Sequence, residues 1–205
     1  MPEPLDVPIL TGARVRLEPL GEAHLDGLVA AAAENRVTYG FTFVPDGRDA
    51  ADFYFQTLAT ARANGEFFPF AQVSVAEDRP VGVTCFLTPR LRAFESIPFA
   101  VEVGGTWLAA SAQRTGINIE AKLLLLTHAF EVWKVGRLDL KTDARNERSR
   151  SAIAAIGAQF EAVLRNWQPS HVPGEEGQLR DTAMFSILDT EWPAVRERLL
   201  DRLSA

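Results

Sequence analysis

The chain has 205 residues, 47% of them apolar and 23% charged, with a formal net charge of -6. That length suits one well-packed domain and leaves a second cramped, so residues 1–205 are read as a single domain. The acidic balance argues against a general nucleic-acid binder, which is usually basic, and is compatible with a cationic substrate such as an amine.

In chain order, Met1 to Pro8 holds three prolines and reads as an extended lead-in. Its start shows no basic-then-apolar signal, and no apolar run in the chain reaches the about 18 residues of a membrane span. Arg14 to Leu20 alternates as a first strand ended by Pro19. Gly21 to Glu34 carries Leu25, Leu28, Val29 and Ala32 on one stripe, an amphipathic helix with His24 as a surface or capping residue near its start. Val37 to Asp49 bunches Tyr39, Phe41, Phe43 and Val44, and reads either as a core-packing loop or as a lid over a cleft. Asp52 to Asn64 is a second helix with Phe53, Leu58 and Ala61 inward and Gly65 closing it.

Phe67–Ala76 and Val81–Leu87 form an antiparallel pair across the turn at residues 77–80. Cys85 lies among Val83, Phe86 and Leu87 and reads as a buried structural thiol. A single cysteine excludes an internal disulfide framework and fits a reducing cytoplasm. Pro89 to Ser96 is a loop before the strand Phe99–Leu108. From Ile119 the apolar residues recur at helical spacing (Leu123, Leu126, Phe130, Trp133), and Leu124, Leu125 and Ala129 widen the stripe, so this helix is covered on more than one side. Arg137–Thr142 alternates as a strand, and Asn146–Ile156 is a short helix stopped by Gly157. Ala158–Arg165 and Thr182–Leu188 are two last strands joined by a long loop or flap. Asp189 or Thr190 caps a final helix along Trp192, Val195, Leu199 and Leu203.

Between the strand at Phe99–Leu108 and the long helix lies Ala110 to Asn118, polar and glycine-containing. A loop opening straight into a helix leaves unpaired N–H groups at the positive end of the helix dipole, a site for an anion. Gln113-Arg114-Thr115-Gly116-Ile117-Asn118 resembles the Gln/Arg-x-x-Gly-x-Gly/Ala loop of the GNAT acyltransferase superfamily, which grips the pyrophosphate of acetyl-CoA. Asn118 departs from the pattern, and its side chain would either crowd the diphosphate or cap the helix. Glu102-Val103-Gly104 and Trp107-Leu108 are similar to the branch that includes ribosomal-protein N-acetyltransferases. The element order also matches this superfamily, which implies an α+β fold: a mixed, mostly antiparallel sheet flanked by helices, here with an added C-terminal helix.

The resemblance implies acetyl-CoA as cosubstrate and a gap beside the central strand where the thioester lies. Gln113, Arg114, Thr115, Gly116, Ile117 and Asn118 would form the pyrophosphate loop, and the backbone from Val103 to Thr106 would polarise the thioester carbonyl. Asn146-Glu147-Arg148-Ser149 is similar to the Asn-x-x-Ser segment of the family. Asn146 would then bond the pantetheine arm and Ser149 would protonate the departing thiolate. Read without the family, Asn146 is an N-cap and Ser149 a small inward residue. Acyl transfer needs a neutral amine, and an alkyl amine is almost wholly protonated at pH 7. Glu102, an acid in an apolar strand, is the leading general base if burial raises its pKa; the alternative is a carboxylate facing solvent or paired with an arginine. Asp143, His128 and His171 are weaker candidates, with His128 read as a helix-surface or satisfied core residue. No metal site is expected, because the three histidines are widely separated.

The expectation is therefore a cytoplasmic N-acetyltransferase acting on a small-molecule or peptide amine by direct attack in a ternary complex. Membrane and nucleic-acid partners are not expected, and members of the branch often pair as homodimers. The acceptor is left open among a protein N-terminus, a polyamine, an amino acid and an antibiotic. Succinyl-CoA as donor and a non-catalytic CoA-binding module stand as alternatives.

Overall fold

The computed structural model describes residues 5, 7–93 and 95–204. Its strands are β1 (Leu10–Thr11), β2 (Val15–Pro19), β3 (Phe67–Ser74), β4 (Arg79–Arg90), β5 (Ala100–Leu108), β6 (Arg137–Asp143), β7 (Gln159–Pro169) and β8 (Leu179–Leu188). Its helices are α1 (Leu25–Ala32), α2 (Gly47–Ala63), α3 (Ile117–Thr127), α4 (Glu147–Ala155) and α5 (Trp192–Ser204). The strands form one sheet in the order β1-β2-β3-β4-β5-β6-β8-β7. Each neighbouring pair is antiparallel except β5 with β6. A parallel pair needs a crossover, and α3 supplies it. The mixed, mostly antiparallel sheet with a C-terminal helix is as expected.

Several boundaries differ for identifiable reasons. The first strand is joined by the short β1, which the sequence pattern does not reveal. The expected lead-in falls largely on residues 1–4 and 6, outside the described residues. Phe53 is 70% exposed, not inward, because the buried stripe of α2 runs through Ala51, Leu58 and Ala61 and residue 53 lies off it. β4 extends past Leu87 to Arg90, which pairs with Ala100 across a bulge, so the expected loop starts later. Pro169 belongs to β7 and not to the connecting loop.

His24 does cap, with its Nδ1 accepting from the Gly21 N–H at 3.1 Å. Cys85 is buried as expected, and burial pushes its thiol up to about 12, so it stays protonated at neutral pH. The long helix continues from α3 as a π turn over His128–Val132. It is covered on both sides: Leu125 and Leu126 are sealed, and Phe130 stacks on Trp192 of α5 at 5.3 Å. His128 is buried between Phe86 and Trp133, but its Nε2 has no partner among the described residues, so it is not a satisfied core histidine.

One structural residue carries no signature in the sequence. The buried carboxylate of Glu120 on α3 accepts from the backbone N–H groups of Ala13, Arg14 and Val15 at 2.9, 2.6 and 2.9 Å, tying β2 to the central helix. Truncation would leave those donors without their acceptor. Glu120→Ala is expected to destabilise the fold by roughly 3 kcal/mol or more, read as a lower urea midpoint with an unchanged slope.

Candidate active site

β5 and β6 pair over only three positions, Ala100↔Arg137, Val101↔Leu138 and Glu102↔Asp139. Beyond Glu102 the two strands part. β5 keeps β4 as its neighbour, and three steps along β5 from Gly104 to Trp107 match two along β4 from Cys85 to Val83. The extra residue is a bulge with Gly105 in the left-handed region at φ 57°. The bulge disrupts the ladder with β4 only locally, while on the other side β5 has no pairing with β6 beyond Glu102. The opening is a cleft of about 290 Å³.

Gly104, Thr106 and Trp107 of β5, Asn118 and Lys122 of α3, and Leu140 of β6 are among the residues lining that cleft. Of the expected site residues, Val103, Gln113, Arg114, Asn118, Asn146 and Ser149 also line it. Thr115, Gly116 and Ile117 are not part of the lining. The Thr115 hydroxyl donates back to the Ala112 carbonyl at 2.7 Å, and the Ile117 side chain is buried in the core. Gly116 is the N-cap of α3, at φ 88° in the left-handed region, so the cap position itself offers no side-chain acceptor, and the Thr115 hydroxyl reaches the Ile117 N–H only at 3.4 Å. The N-cap reading of Asn118 is therefore corrected: it is the second residue of the helix, with a buried Oδ1 that has no hydrogen-bond partner among the described residues. An uncapped helix start with an orphan polar atom beside it suits a bound group that carries both an anion and hydrogen-bond donors.

Gln113 ties three elements together. Its amide nitrogen donates to Thr38 Oγ1 at 2.9 Å and to the Leu108 carbonyl at 3.0 Å, and its oxygen accepts from Arg148 at 2.8 Å. Asn146 is the N-cap of α4, accepting from the Ser149 N–H at 3.0 Å, so the capping reading is realised while both residues still line the cleft. The aromatic segment before α2 is anchored, with Tyr39 buried and its hydroxyl donating to the Leu108 carbonyl at 2.9 Å. Thr38, Tyr39 and Thr42 form a wall of the cleft, so this segment both packs and bounds the site.

Lys122 is a site residue that sequence reasoning missed. Only 7% exposed, it donates to Thr106 Oγ1 at 2.7 Å and to Thr84 Oγ1 at 3.2 Å. No carboxylate pairs with it among the described residues, and burial pushes its ammonium down to about 8. Its signal in the sequence was a lysine inside an otherwise apolar run, Ala121-Lys122-Leu123-Leu124.

Glu102 lies on the other face of the sheet. Alternation puts Val101 and Val103 on one side and Glu102 and Gly104 on the other. The carboxylate is 7% exposed and pairs with Lys141 on β6 at 2.9 Å, not with solvent or an arginine. Burial raises its pKa, with Lys141 opposing the rise. A Cβ on Gly104 would come within 3.1 Å of Glu102 Oε1 and 2.9 Å of Leu87 Cδ1, so a larger residue here would make the ends of both side chains shift. Asp143 is fully buried, and both its oxygens are engaged by Arg145 at 2.8–3.0 Å. Burial pushes the Asp143 pKa up, but the Arg145 guanidinium outweighs it and holds the value below the ordinary one, which makes this carboxylate a poor base. His171 packs against Phe43, ring centroids 6.2 Å apart, and burial together with the nearby Arg180 charge lowers its pKa.

A parting of two parallel strands, with an uncapped helix N-terminus on one side and a buried glutamate on the other, agrees with the comparison by sequence. Residues 14–159 match the model of the acetyltransferase (GNAT) domain. The chain belongs to the GNAT acetyltransferase family. These enzymes take the acetyl group from acetyl-CoA as cosubstrate. A GCN5-related N-acetyltransferase from Brucella melitensis superposes with a TM-score of 0.83 at 25% identity, over 98% of this chain and 87% of that one. A putative acetyltransferase from T. thermophilus is 31% identical with a TM-score of 0.79, over 97% and 98% of the two chains. Mycobacterium smegmatis RimJ in complex with CoA-disulfide shares the fold at 19% identity and a TM-score of 0.75, over 95% and 94%. No curated protein matched by sequence.

Proposed function

We propose that this GNAT acetyltransferase uses the α3–α4 side of the opening for acetyl-CoA and the Glu102 side for a primary amine, small or peptidic. The observation that carries this is the parting of β5 from β6 immediately after Glu102, which leaves the carboxylate next to a break in the sheet. The first-turn N–H groups of α3 receive the diphosphate, and Gln113, Arg114, Asn118 and Asn146 flank the donor's arm. Lys122 has two N–H groups committed to threonine hydroxyls and turns the third toward a carbonyl of the donor. The amine nitrogen attacks the acyl carbon, the C–N bond forms and the C–S bond breaks. Glu102 takes the amine's proton, directly or through water, and Ser149 gives one to the thiolate. The whole chain acts as one acyltransferase domain in the cytoplasm, as a homodimer and without nucleic acid. Among the described residues no helix is long and apolar enough to cross a membrane.

CoA thiol release in the presence of acetyl-CoA and a broad amine panel tests the activity; CoA binding with no release from any acceptor would overturn it. The loop is tested by Gly116→Trp. A bulky residue in the left-handed region costs roughly 1–2 kcal/mol, and its Cβ would press on the Arg14 side chain at 3.2–3.5 Å, disturbing the turn that presents the first N–H groups of α3. Calorimetry should show CoA affinity at least tenfold weaker with the protein still folded, and unchanged affinity would remove the loop from the site.

A further inference from the structure

The face of the sheet that carries Glu102 continues as a line of polar residues. Glu102 pairs with Asp139, Asp139 with Ser186, Lys141 with Met184 and Asp143 with Thr182. Residues paired across a sheet share a face, as do alternate residues along a strand, so Glu102, Lys141, Asp143, Thr182 and Arg180 all lie on this side. The carboxylates here are already engaged. Lys141 holds Glu102, and Arg145 holds both Asp143 and Glu175.

Arg180 and Thr182 are not engaged. Arg180 is 8% exposed, its Nε is sealed from solvent, and it makes no hydrogen bond or ion pair among the described residues. Thr182 is fully buried, and its Oγ1 is likewise without a partner. Burying a guanidinium without a hydrogen-bond acceptor costs folding free energy, which the attraction of Asp143 and Glu102 offsets only in part. Two donors of this kind, two residues apart on one face, suit a ligand acceptor. The charged groups along this face balance: Arg90, Arg137, Lys141, Arg145 and Arg180 face Glu102, Asp139, Asp143, Glu161 and Glu175. A zwitterion enters this set without adding net charge. His171 and Phe43, in contact at 6.2 Å, and Phe41, under Arg145 at 5.5 Å, put aromatic rings beside the same region.

We propose that Arg180 and Thr182 form a carboxylate subsite on the acceptor side, so that the acceptor is an amine that also bears a carboxylate, as a free amino acid does. This rests on the reading that the amine approaches Glu102. The planar fork of arginine takes a carboxylate through paired N–H bonds, and the threonine hydroxyl adds a third donor. The carboxylate anchors the acceptor while its amine points back along the face toward Glu102.

The test pairs acids with their carboxamides: glycine, β-alanine, L-serine, L-glutamate and L-phenylalanine, each against its amide. Each is titrated calorimetrically into protein saturated with CoA, and each is assayed for thiol release with acetyl-CoA. At least one acid should bind and turn over tenfold or more better than its carboxamide. Arg180→Gln should raise the KM for that acid ten- to a hundredfold, with kcat and CoA affinity little changed, and Arg180→Lys should restore part of it. A panel with no preference for the acid would overturn the subsite. So would an Arg180→Gln variant, folded by circular dichroism, that weakens acid and amide alike. If no acceptor releases thiol, acetyl transfer is the reading that fails, and the calorimetric comparison still decides the subsite.

Discussion

Glu102→Gln should lose roughly 10²–10⁴-fold in kcat at neutral pH, the range that a positioned general base contributes. Glutamine keeps the size and can still hydrogen-bond Lys141, so the loss reads the proton acceptor and not the packing. The sign of the pH dependence follows from burial, which raises the Glu102 pKa above the ordinary carboxylate range while Lys141 pulls against it. A base works when ionised, so wild-type kcat/KM should climb as pH rises through that elevated value and then level. The variant should lack this limb and recover part of its rate at high pH, where free amine comes from solution. Acetyl-CoA affinity should stay near wild type, because the carboxylate is on the sheet face away from Asn118 and Lys122. A variant with the wild-type pH profile would exclude the role, and an ordered water would become the next candidate base.

What could be read from the sequence was what depends on local period and on motif. The strand–loop–helix unit at residues 99–133 carried its own signal, since Val101 and Val103 alternate and the apolar stripe beyond Ile119 has helical spacing. Asn146 and Ser149 were legible because a capping residue and its small partner are three apart in the chain. Glu102 was legible as an acid in an apolar strand. Its partner was not, because Lys141 meets it only through the parallel pairing of β5 with β6 across the α3 crossover. Phe53 was misplaced because a bulky aromatic reads as core until the phase of the helix is fixed by Ala51, Leu58 and Ala61.

Glu120, Lys122 and Arg180 escaped for a common reason. Charged side chains are rarely fully buried, so nothing in the sequence singled these three out. In the fold they do three different things. Glu120 accepts from three backbone N–H groups of the first strand's entry, and its role is structural. Lys122 rests on two hydroxyls with no carboxylate paired to it, and Arg180 makes no hydrogen bond or ion pair, in both cases among the described residues. The difference between a satisfied buried charge and an unsatisfied one separates scaffold from site, and it is visible only once the neighbours are in place.

That distinction gives Lys122→Met an expected result of opposite sign in stability and in activity. Burial depresses the Lys122 ammonium to about 8 from an ordinary value near 10.4, so the folded state disfavours the charged form. The cost is fully present below about pH 8, is relieved as pH rises through 8 toward 10.4, and amounts to roughly 3 kcal/mol at pH 7 at 1.36 kcal/mol per unit. Methionine has similar length and no charge to desolvate, and the Thr84 and Thr106 hydroxyls, 2.9 Å apart, still bond one another. Lys122→Met should therefore melt several degrees higher than wild type at pH 7, with the difference shrinking above pH 9. Activity should move the other way. With the ammonium directed at a donor carbonyl, wild-type rate should fall as pH passes about 8 and the charge is lost, giving a bell with the Glu102 limb on its acid side. The methionine variant should lose roughly tenfold or more in kcat/KM at pH 7 and show no alkaline fall. A variant that is more stable, fully active and keeps the falling limb would leave Lys122 as a buried charge with no part in the reaction.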